Sequence, residues 1–370
     1  MKIAINTRFL LTSKMEGFGW YTYEVSKRLV EKYPQHEFFF FFDRPFDERF
    51  VFGNNVTPVV LFPPARHPFL FYIWYEWSVK RALKKYQIDL FFSPDGYLSL
   101  SSSVPQIATI HDLNFEYYDS DIPKLSLKYF RHFFPKFAKK ATKIITVSNY
   151  SKADIVQVYG VEEEKVFAIW NGASDQFKPI ASEEKIVIQE KYTNGKPYFL
   201  FVGALSPRKN LIRLIQAFDR FKQETGSETK LLIVGEMLWK DKTFADAISY
   251  KNHDEVCFTG HLALTELAKV MGAAKVFTYV PYFEGFGIPL AEAMKCGVPI
   301  LSGNLTSLPE VAGDAAVYCD PFDVSDIANQ LVELDCNQEL LAKLAEKSLE
   351  RSSLFSWDQC ADEVAKVLGL

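Results

Sequence analysis

Two carboxylates, Glu284 and Glu292, stand eight residues apart in Glu284-Gly-Phe-Gly-Ile-Pro-Leu-Ala-Glu292, around a glycine-rich turn that opens a helix. That arrangement can grip a sugar nucleotide. An apolar strand from Ala274 to Val280 precedes the turn, and the helix runs on to a Gly297-Val298-Pro299 stop. The backbone N–H groups at a helix start, with the positive end of the helix dipole, suit a diphosphate. Gly285 and Gly287, on either side of Phe286, let a ligand approach the backbone closely. Glu284 in the turn can accept hydrogen bonds from sugar hydroxyls. Glu292, about a turn and a half into the helix, can accept them from a ribose. In isolation the motif would read as an acidic surface turn followed by a solvated helix residue, so the company it keeps decides the matter.

That company lies upstream. The apolar strand Tyr198-Phe-Leu-Phe-Val-Gly203 is followed by Ala204-Leu-Ser-Pro-Arg208-Lys209-Asn210 and then a helix. Cations are disfavoured at a helix N-terminus unless an anion sits there. Arg208 offers a planar fork and Lys209 a compact ammonium, and together they can neutralise a pyrophosphate leaving group as its charge develops. A third chemical pair, His111-Asp112, follows the apolar strand Gln106 to Ile110, where a parallel sheet presents residues to its crevice.

With these pieces the chain resembles the retaining, nucleotide-sugar-dependent glycosyltransferases of family 4, which have the GT-B fold. The similarity also takes in Glu16-Gly17-Phe18-Gly19, Thr146-Val147-Ser148, Asn171-Gly172, Val234-Gly235-Glu236, Phe258-Thr259-Gly260 and Ser307-Leu308-Pro309-Glu310, in the family's order and spacing. The pairing of Glu284 with Glu292 and the Arg208-Lys209-Asn210 run are its most specific parts. The resemblance implies transfer of a hexose such as mannose or glucose from a nucleoside diphosphate sugar to a glycan or lipid-linked hydroxyl, in surface polysaccharide synthesis. Configuration would be retained by a front-face mechanism in which the leaving pyrophosphate helps deprotonate the acceptor. It places His111 beside the hydroxyls of the transferred sugar, with Asp112 orienting it or assisting the acceptor. Gly203, Gly285, Phe286, Gly287 and Glu292 fall to the donor, and Gly260-His261-Leu262 to its base through backbone contacts.

Composition bounds the rest. A chain of 370 residues exceeds one ordinary core, and 48% hydrophobic with 24% charged residues is normal for a globular enzyme. The 33 Phe and 18 Tyr point to apolar surface beyond the core. A net charge of −4 supplies no general attraction for nucleic acid. Five scattered cysteines, Cys257, Cys296, Cys319, Cys336 and Cys360, read as reduced core residues of a cytoplasmic protein. The start Met1-Lys-Ile-Ala-Ile enters a strand at once, without signal-peptide character.

The elements needed to position these groups alternate throughout. Strands near 2–6, 37–42, 57–62, 88–92, 106–110 and 143–147 alternate with helices, and a second series lies near 198–202, 230–234, 255–258, 275–280, 298–301 and 315–318. Two doubly wound parallel α/β sheets follow, joined by a linker near 173–190, with ligand expected in the cleft between them. The expected domains are 1–175 on the acceptor side and 190–354 on the nucleotide-sugar side. The resemblance returns a terminal helix, about 355–370, onto the first.

Other chemistries fit less well. Gly17-Phe-Gly19-Trp-Tyr-Thr22 is half a dinucleotide fingerprint, but Thr22 stands where the third glycine belongs and the loop from Asn6 is too long. It reads instead as a mobile glycine loop near the sugar or phosphate. Asp119-Ser120-Asp121 reads as a turn capping the next helix, not as a metal-binding pair. No metal or cofactor is expected. A phosphorylase or epimerase on the same fold is the alternative enzyme, which would need a further anion site or a cofactor lysine. A non-catalytic nucleotide-sugar-binding subunit is the alternative of another class, and it has no reason to keep His111, Arg208, Lys209, Glu284 and Glu292 together. Finally, residues 122–153 hold eight cations and no acid before Asp154, interleaved with Tyr129, Phe130, Phe133, Phe134 and Phe137. This face, with the aromatics Phe69 to Trp77, is expected to meet an anionic membrane.

Overall fold

The computed structural model describes residues 1–12, 15, 17–119, 122–236 and 253–370. Glu16 and Asp121, both used above, lie outside the described residues. The chain forms two compact units, Met1–Asn171 with Ser356–Leu370, and Gly172–Phe355.

Among the described residues the first unit holds a seven-stranded parallel sheet of β1 (Lys2–Asn6), β2 (Glu37–Phe42), β3 (Val56–Val60), β4 (Leu90–Ser93), β5 (Gln106–Thr109), β6 (Lys143–Thr146) and β7 (Val166–Ala168). Their spatial order is 3-2-1-4-5-6-7. Strand β1 pairs with β2 on one side, Ile3 opposite Phe38, and with β4 on the other, Ile3 opposite Leu90. The chain's winding reverses there, which opens a crevice beyond the carboxyl ends of β1 and β4. The second unit's sheet comprises β8 (Tyr198–Val202), β9 (Lys230–Val234), β10 (Val256–Gly260), β11 (Val276–Tyr279), β12 (Ile300–Gly303) and β13 (Ala316–Cys319). Its order is 10-9-8-11-12-13, with the reversal between β8 and β11. The expected α/β architecture of two doubly wound parallel sheets is present.

The Phe38–Phe42 run shows why parallel strands lack an alternating pattern: both faces are covered. Phe38, Phe40 and Phe42 pack with Tyr21, Val25 and Leu29 of the helix Gly17–Lys32 and with Trp357 and Val364 of the helix Trp357–Leu368. Phe39 and Phe41 face the opposite layer, with Trp74 and Val79. The last helix is further held to the first by Arg28 Nε donating to Asp358 at 3.1 Å and Lys32 Nζ to Asp362 at 2.8 Å.

Three expectations change. The stretch 173–190 is not a free linker: it belongs to the second unit and enters a helix at Ser182–Thr193. Strand β7 went unforeseen, since three residues at a sheet edge carry no period. The helix Lys124–Lys140 also turns its aromatics inward, with Tyr129, Phe134 and Phe137 buried and Phe130 and Phe133 packed against the same core. Its cations are partly engaged or exposed separately; Arg131 Nε donates to the Phe115 carbonyl at 2.9 Å. The basic and aromatic sets of this helix therefore occupy different sides. Of the cysteines, Cys296, Cys319 and Cys360 are buried, but Cys336 is exposed. No helix among the described residues is long and apolar enough to cross a membrane.

Phe40 is fully buried at the centre of the first unit's packing. Phe40→Ala should destabilise that unit by about 3–5 kcal/mol, read as a lowered urea midpoint for the near-ultraviolet signal of its aromatic core.

Candidate active site

In the second unit the site is built across the β8/β11 reversal. After β8 the chain passes Gly203 and makes a 3-10 turn, Pro207–Lys209, which ends at Asn210 with a left-handed φ of 60°. The buried Asn210 amide donates to the carbonyls of Val280 at 3.0 Å and Pro321 at 2.6 Å. That ties the start of the helix Leu211–Thr225 to the end of β11 and fixes where Arg208 and Lys209 project. From the β11 side, Ser307 Oγ donates to the Glu284 carbonyl at 2.9 Å, and the Glu284 N–H donates to Thr306 Oγ1 at 3.2 Å. Arg208 also donates to the Phe283 carbonyl at 2.8 Å.

The two loops meet in one ion cluster. Arg208 Nη1 and Lys209 Nζ both donate to Glu284 Oε1, at 2.7 and 2.5 Å, and Lys209 Nζ lies 2.6 Å from the Tyr279 hydroxyl. Glu284 is only 7% exposed. Burial alone would raise its pKa, but the charges of Arg208 and then Lys209 outweigh it and hold the carboxyl below its ordinary value. The buried Tyr279 phenol moves well above its ordinary range, first through desolvation and then through the nearby Glu284 charge. Sequence reasoning missed Tyr279 and Thr306; the only signal was their place at a strand end and in the loop after β12.

Downstream, Gly287 takes a φ of 88°, and a Cβ there would sit 3.2 Å from Leu308 Cδ2, so the turn needs glycine on two counts. Phe286 is placed differently from expectation. Its ring is buried edge-on against Phe355 at 5.9 Å, so the side chain anchors the turn and only its backbone is left to serve a ligand. Glu292 lies in the helix Ile288–Lys295, and its carboxyl finds no hydrogen-bond partner among the described residues. Desolvation pushes its pKa from 4.5 to about 8. The ends of β8, β9 and β10 are laced together: Gly203 N–H donates to Val234 O at 3.0 Å, Gly235 N–H to Gly260 O at 2.9 Å, and Leu205 N–H to Glu236 O at 3.1 Å. Gly260, with φ 70°, ends β10 and leaves His261 exposed and Leu262 half-buried.

The first unit carries its own cluster. His111 follows β5, and its Nε2 lies 2.8 Å from the Pro94 carbonyl. A carbonyl can only accept, so Nε2 bears the hydrogen and the neutral ring presents Nδ1 as an acceptor. Burial lowers the His111 pKa, against smaller opposing contributions from that hydrogen bond and from Asp112 and Asp95. The ring is packed edge-on by Phe18 at 4.7 Å and Tyr21 at 4.8 Å. The Asp112 carboxylate accepts from Asn114 N–H at 3.0 Å at the start of a short helix, and its charge contributes to the His111 environment. Gly17 and Gly19 belong to the first turn of the helix Gly17–Lys32 and not to a loop. A Cβ on Gly19 would meet the Phe9 carbonyl at 2.8 Å, so this glycine serves close packing. Also unforeseen is a buried pair after β1 and β4: Arg8 Nε donates to Asp95 at 2.6 Å, and Asn6 donates to the same carboxylate at 2.7 Å.

Glu292 generates a pH test. Its folded pKa lies above its unfolded value, so the folded chain holds the proton more tightly between pH 4.5 and about 8, and stability contributed by the neutral form is lost as pH rises through that window. Glu292→Gln removes this titration. The melting temperature of the variant minus that of the native chain should increase from pH 5 to pH 9; a difference that stays flat would show Glu292 already ionised at pH 5.

Comparison with known proteins bears on the family and the fold. The profile of Glycosyltransferase Family 4 matches residues 15–177, and that of Glycosyl transferases group 1 matches residues 182–351. O-antigen chain mannosyltransferase B of Escherichia coli is 28% identical over 284 residues, 76% of this chain and 74% of its own. O-antigen chain mannosyltransferase RfbU of Salmonella typhimurium is 29% identical, over 69% of this chain and 68% of its own. Among solved structures, Anabaena Alr3699/HepE in complex with UDP and glucose superposes with a TM-score of 0.78 at 16% identity, covering 100% of this chain and 99% of that one. Two doubly wound sheets, matched end to end by a GT-B structure and by two successive family profiles, establish that this chain belongs to the group 1, family 4 glycosyltransferases and is an enzyme of that class.

Proposed function

We propose that the enzyme transfers a hexose from a nucleoside diphosphate sugar to a hydroxyl of a glycan or lipid-linked acceptor, with retention of configuration and without a metal, in surface polysaccharide synthesis. The observation that carries this is the convergence of Arg208 and Lys209 on Glu284 at the β8/β11 reversal. Two cations are gathered where a parallel sheet places its ligand, which suits a diphosphate. As the glycosidic bond breaks, charge builds on the departing diphosphate, and Arg208 and Lys209 oppose it. The turn Gly285 to Gly287, at a helix start, adds its dipole. Glu284 orients the hexose by accepting from its hydroxyls. Glu292, whose carboxyl has no hydrogen-bond partner among the described residues, receives the ribose hydroxyls. His111, neutral and with Nδ1 presented, is available to a sugar hydroxyl. The two O-antigen mannosyltransferases named above support a hexose donor and a glycan acceptor, and the UDP and glucose of the structural neighbour support a nucleotide-sugar donor.

The cluster makes the roles separable. Glu284→Gln removes one negative charge from beside Arg208 and Lys209, so binding of a nucleoside diphosphate should be kept or tightened. Transfer should fall by about a hundredfold or more, because the sugar loses its orienting group. Arg208→Ala should weaken both binding and turnover. Isothermal titration with UDP and GDP, alongside a transfer assay, reads the two effects, and near-normal turnover in Glu284→Gln would place the sugar elsewhere.

Metal independence is tested apart from this. Activity should persist in EDTA, since Arg208 and Lys209 supply the charge a divalent ion would otherwise bring. Loss with chelator, restored by Mn2+ or Mg2+, would overturn it.

A further inference from the structure

The helix Pro68–Ile73 continues through a π turn, Trp74–Val79, into Lys80–Lys85. Its inner side is ordinary core: Trp74, Tyr75, Val79, Ala82 and Leu83 are buried. Its outer side is not. Phe69 is 67% exposed, Trp77 72%, and Phe62, on the preceding loop, 81%. Ser78 Oγ donates to the Phe62 carbonyl at 2.6 Å, which holds that loop beside the helix. Tyr72 is exposed on the same segment and lies 5.9 Å from Phe133, over which Lys136 sits at 5.4 Å.

Towards the end of the segment the surface becomes cationic. Lys80, Arg81 and Lys84 are exposed and, with Trp77 and Tyr72, line an open groove of about 1020 Å³. From Phe62 to Ile88 the chain carries Arg66, Lys80, Arg81, Lys84 and Lys85 against one acid, Glu76, although the whole chain is at −4. Glu76 lines the same groove, its carboxylate accepting from Leu100 N–H at 2.6 Å and Ser101 N–H at 3.0 Å, and its single charge leaves the segment cationic.

We propose that this aromatic and basic face of residues 62–85 docks on an anionic lipid bilayer. Exposed phenylalanine has no polar handle to justify its contact with water, and three large exposed rings on one short segment are apolar area seeking an apolar medium. The flanking cations then meet lipid phosphates, each worth about 1 kcal/mol near such a surface. A soluble polyanion would use the cations but leave Phe62 and Phe69 in water. The proposal names a partner for the reading above, resting on it only in that a lipid-linked acceptor gives the contact a purpose. It narrows the expected membrane face to the segment before the helix Lys124–Lys140, whose aromatics are in the core.

Flotation of the full chain tests this with vesicles of phosphatidylcholine containing phosphatidylglycerol, and of phosphatidylcholine alone. The native chain should float with the anionic vesicles at low salt and be released at high salt. Phe69→Ser with Trp77→Ser, and separately Lys80→Glu with Arg81→Glu, should each lower partitioning by about tenfold or more. Lys124→Glu with Lys128→Glu should change it by less than about threefold. All these positions are exposed, so each variant should melt with the native chain, and its transfer to a water-soluble acceptor should match the native rate. Absence of flotation, flotation indifferent to the 69/77 pair, greater loss from the 124/128 pair, or heparin bound as tightly as vesicles would overturn the docking face. Transfer to the soluble acceptor would persist in each case, whereas failure of the transferase reading would abolish it and leave flotation intact.

Discussion

A carboxylate taken out of water beside two cations is the constraint around which the second unit is organised. Removing Glu284 from solvent is costly, and the attraction of Arg208 and Lys209 offsets that cost only while all three stay in register. The register has its own supports. Asn210 ties one loop to the end of β11, Ser307 and Thr306 hold the other by its backbone, and Phe286 plants the turn in the core. None of these residues needs to touch a ligand, yet each sets the distance between the charges. Preorganisation of this kind spares the site reorganisation when an anion arrives.

The site's two acids are set apart by environment alone. Glu284, between cations, is held below its ordinary range, while Glu292 is pushed towards its neutral form by desolvation. In the first unit, burial likewise keeps His111 neutral and the Pro94 carbonyl selects its tautomer. Burial and neighbouring charges thus shift the two acids in opposite directions and lower the imidazole.

Much of the fold was legible in the sequence because parallel strands covered on both faces read as continuous apolar runs. Phe38–Phe42 and Tyr198–Val202 are instances, and the turns between them are marked by glycine, proline and asparagine. The positions of Arg208, Lys209, Glu284 and Glu292 relative to strand ends were legible for the same reason. What was not legible depends on contacts distant in sequence. Lys209 and Glu284 are 75 residues apart, and nothing local says that the two side chains pair. Asp112 and His111 are adjacent in sequence, which invited a pairing, but the backbone sends the carboxylate to Asn114 and leaves the ring to Pro94. Helical spacing in Lys124–Lys140 was compatible with aromatics facing either way, and neighbours supplied by other segments drew them inward.

The helix Trp357–Leu368 covers Tyr21, Val25 and Leu29 of the first unit, although the whole second unit is translated before it. At about 5–20 residues per second, that interval leaves the apolar groove uncovered on the ribosome for on the order of ten seconds or more. The second unit, whose chain is continuous, can complete its core first. The nascent first half must therefore wait, partly open, for its closing piece, and a chaperone meeting this chain during synthesis would find its sticky surface on the half that was made first.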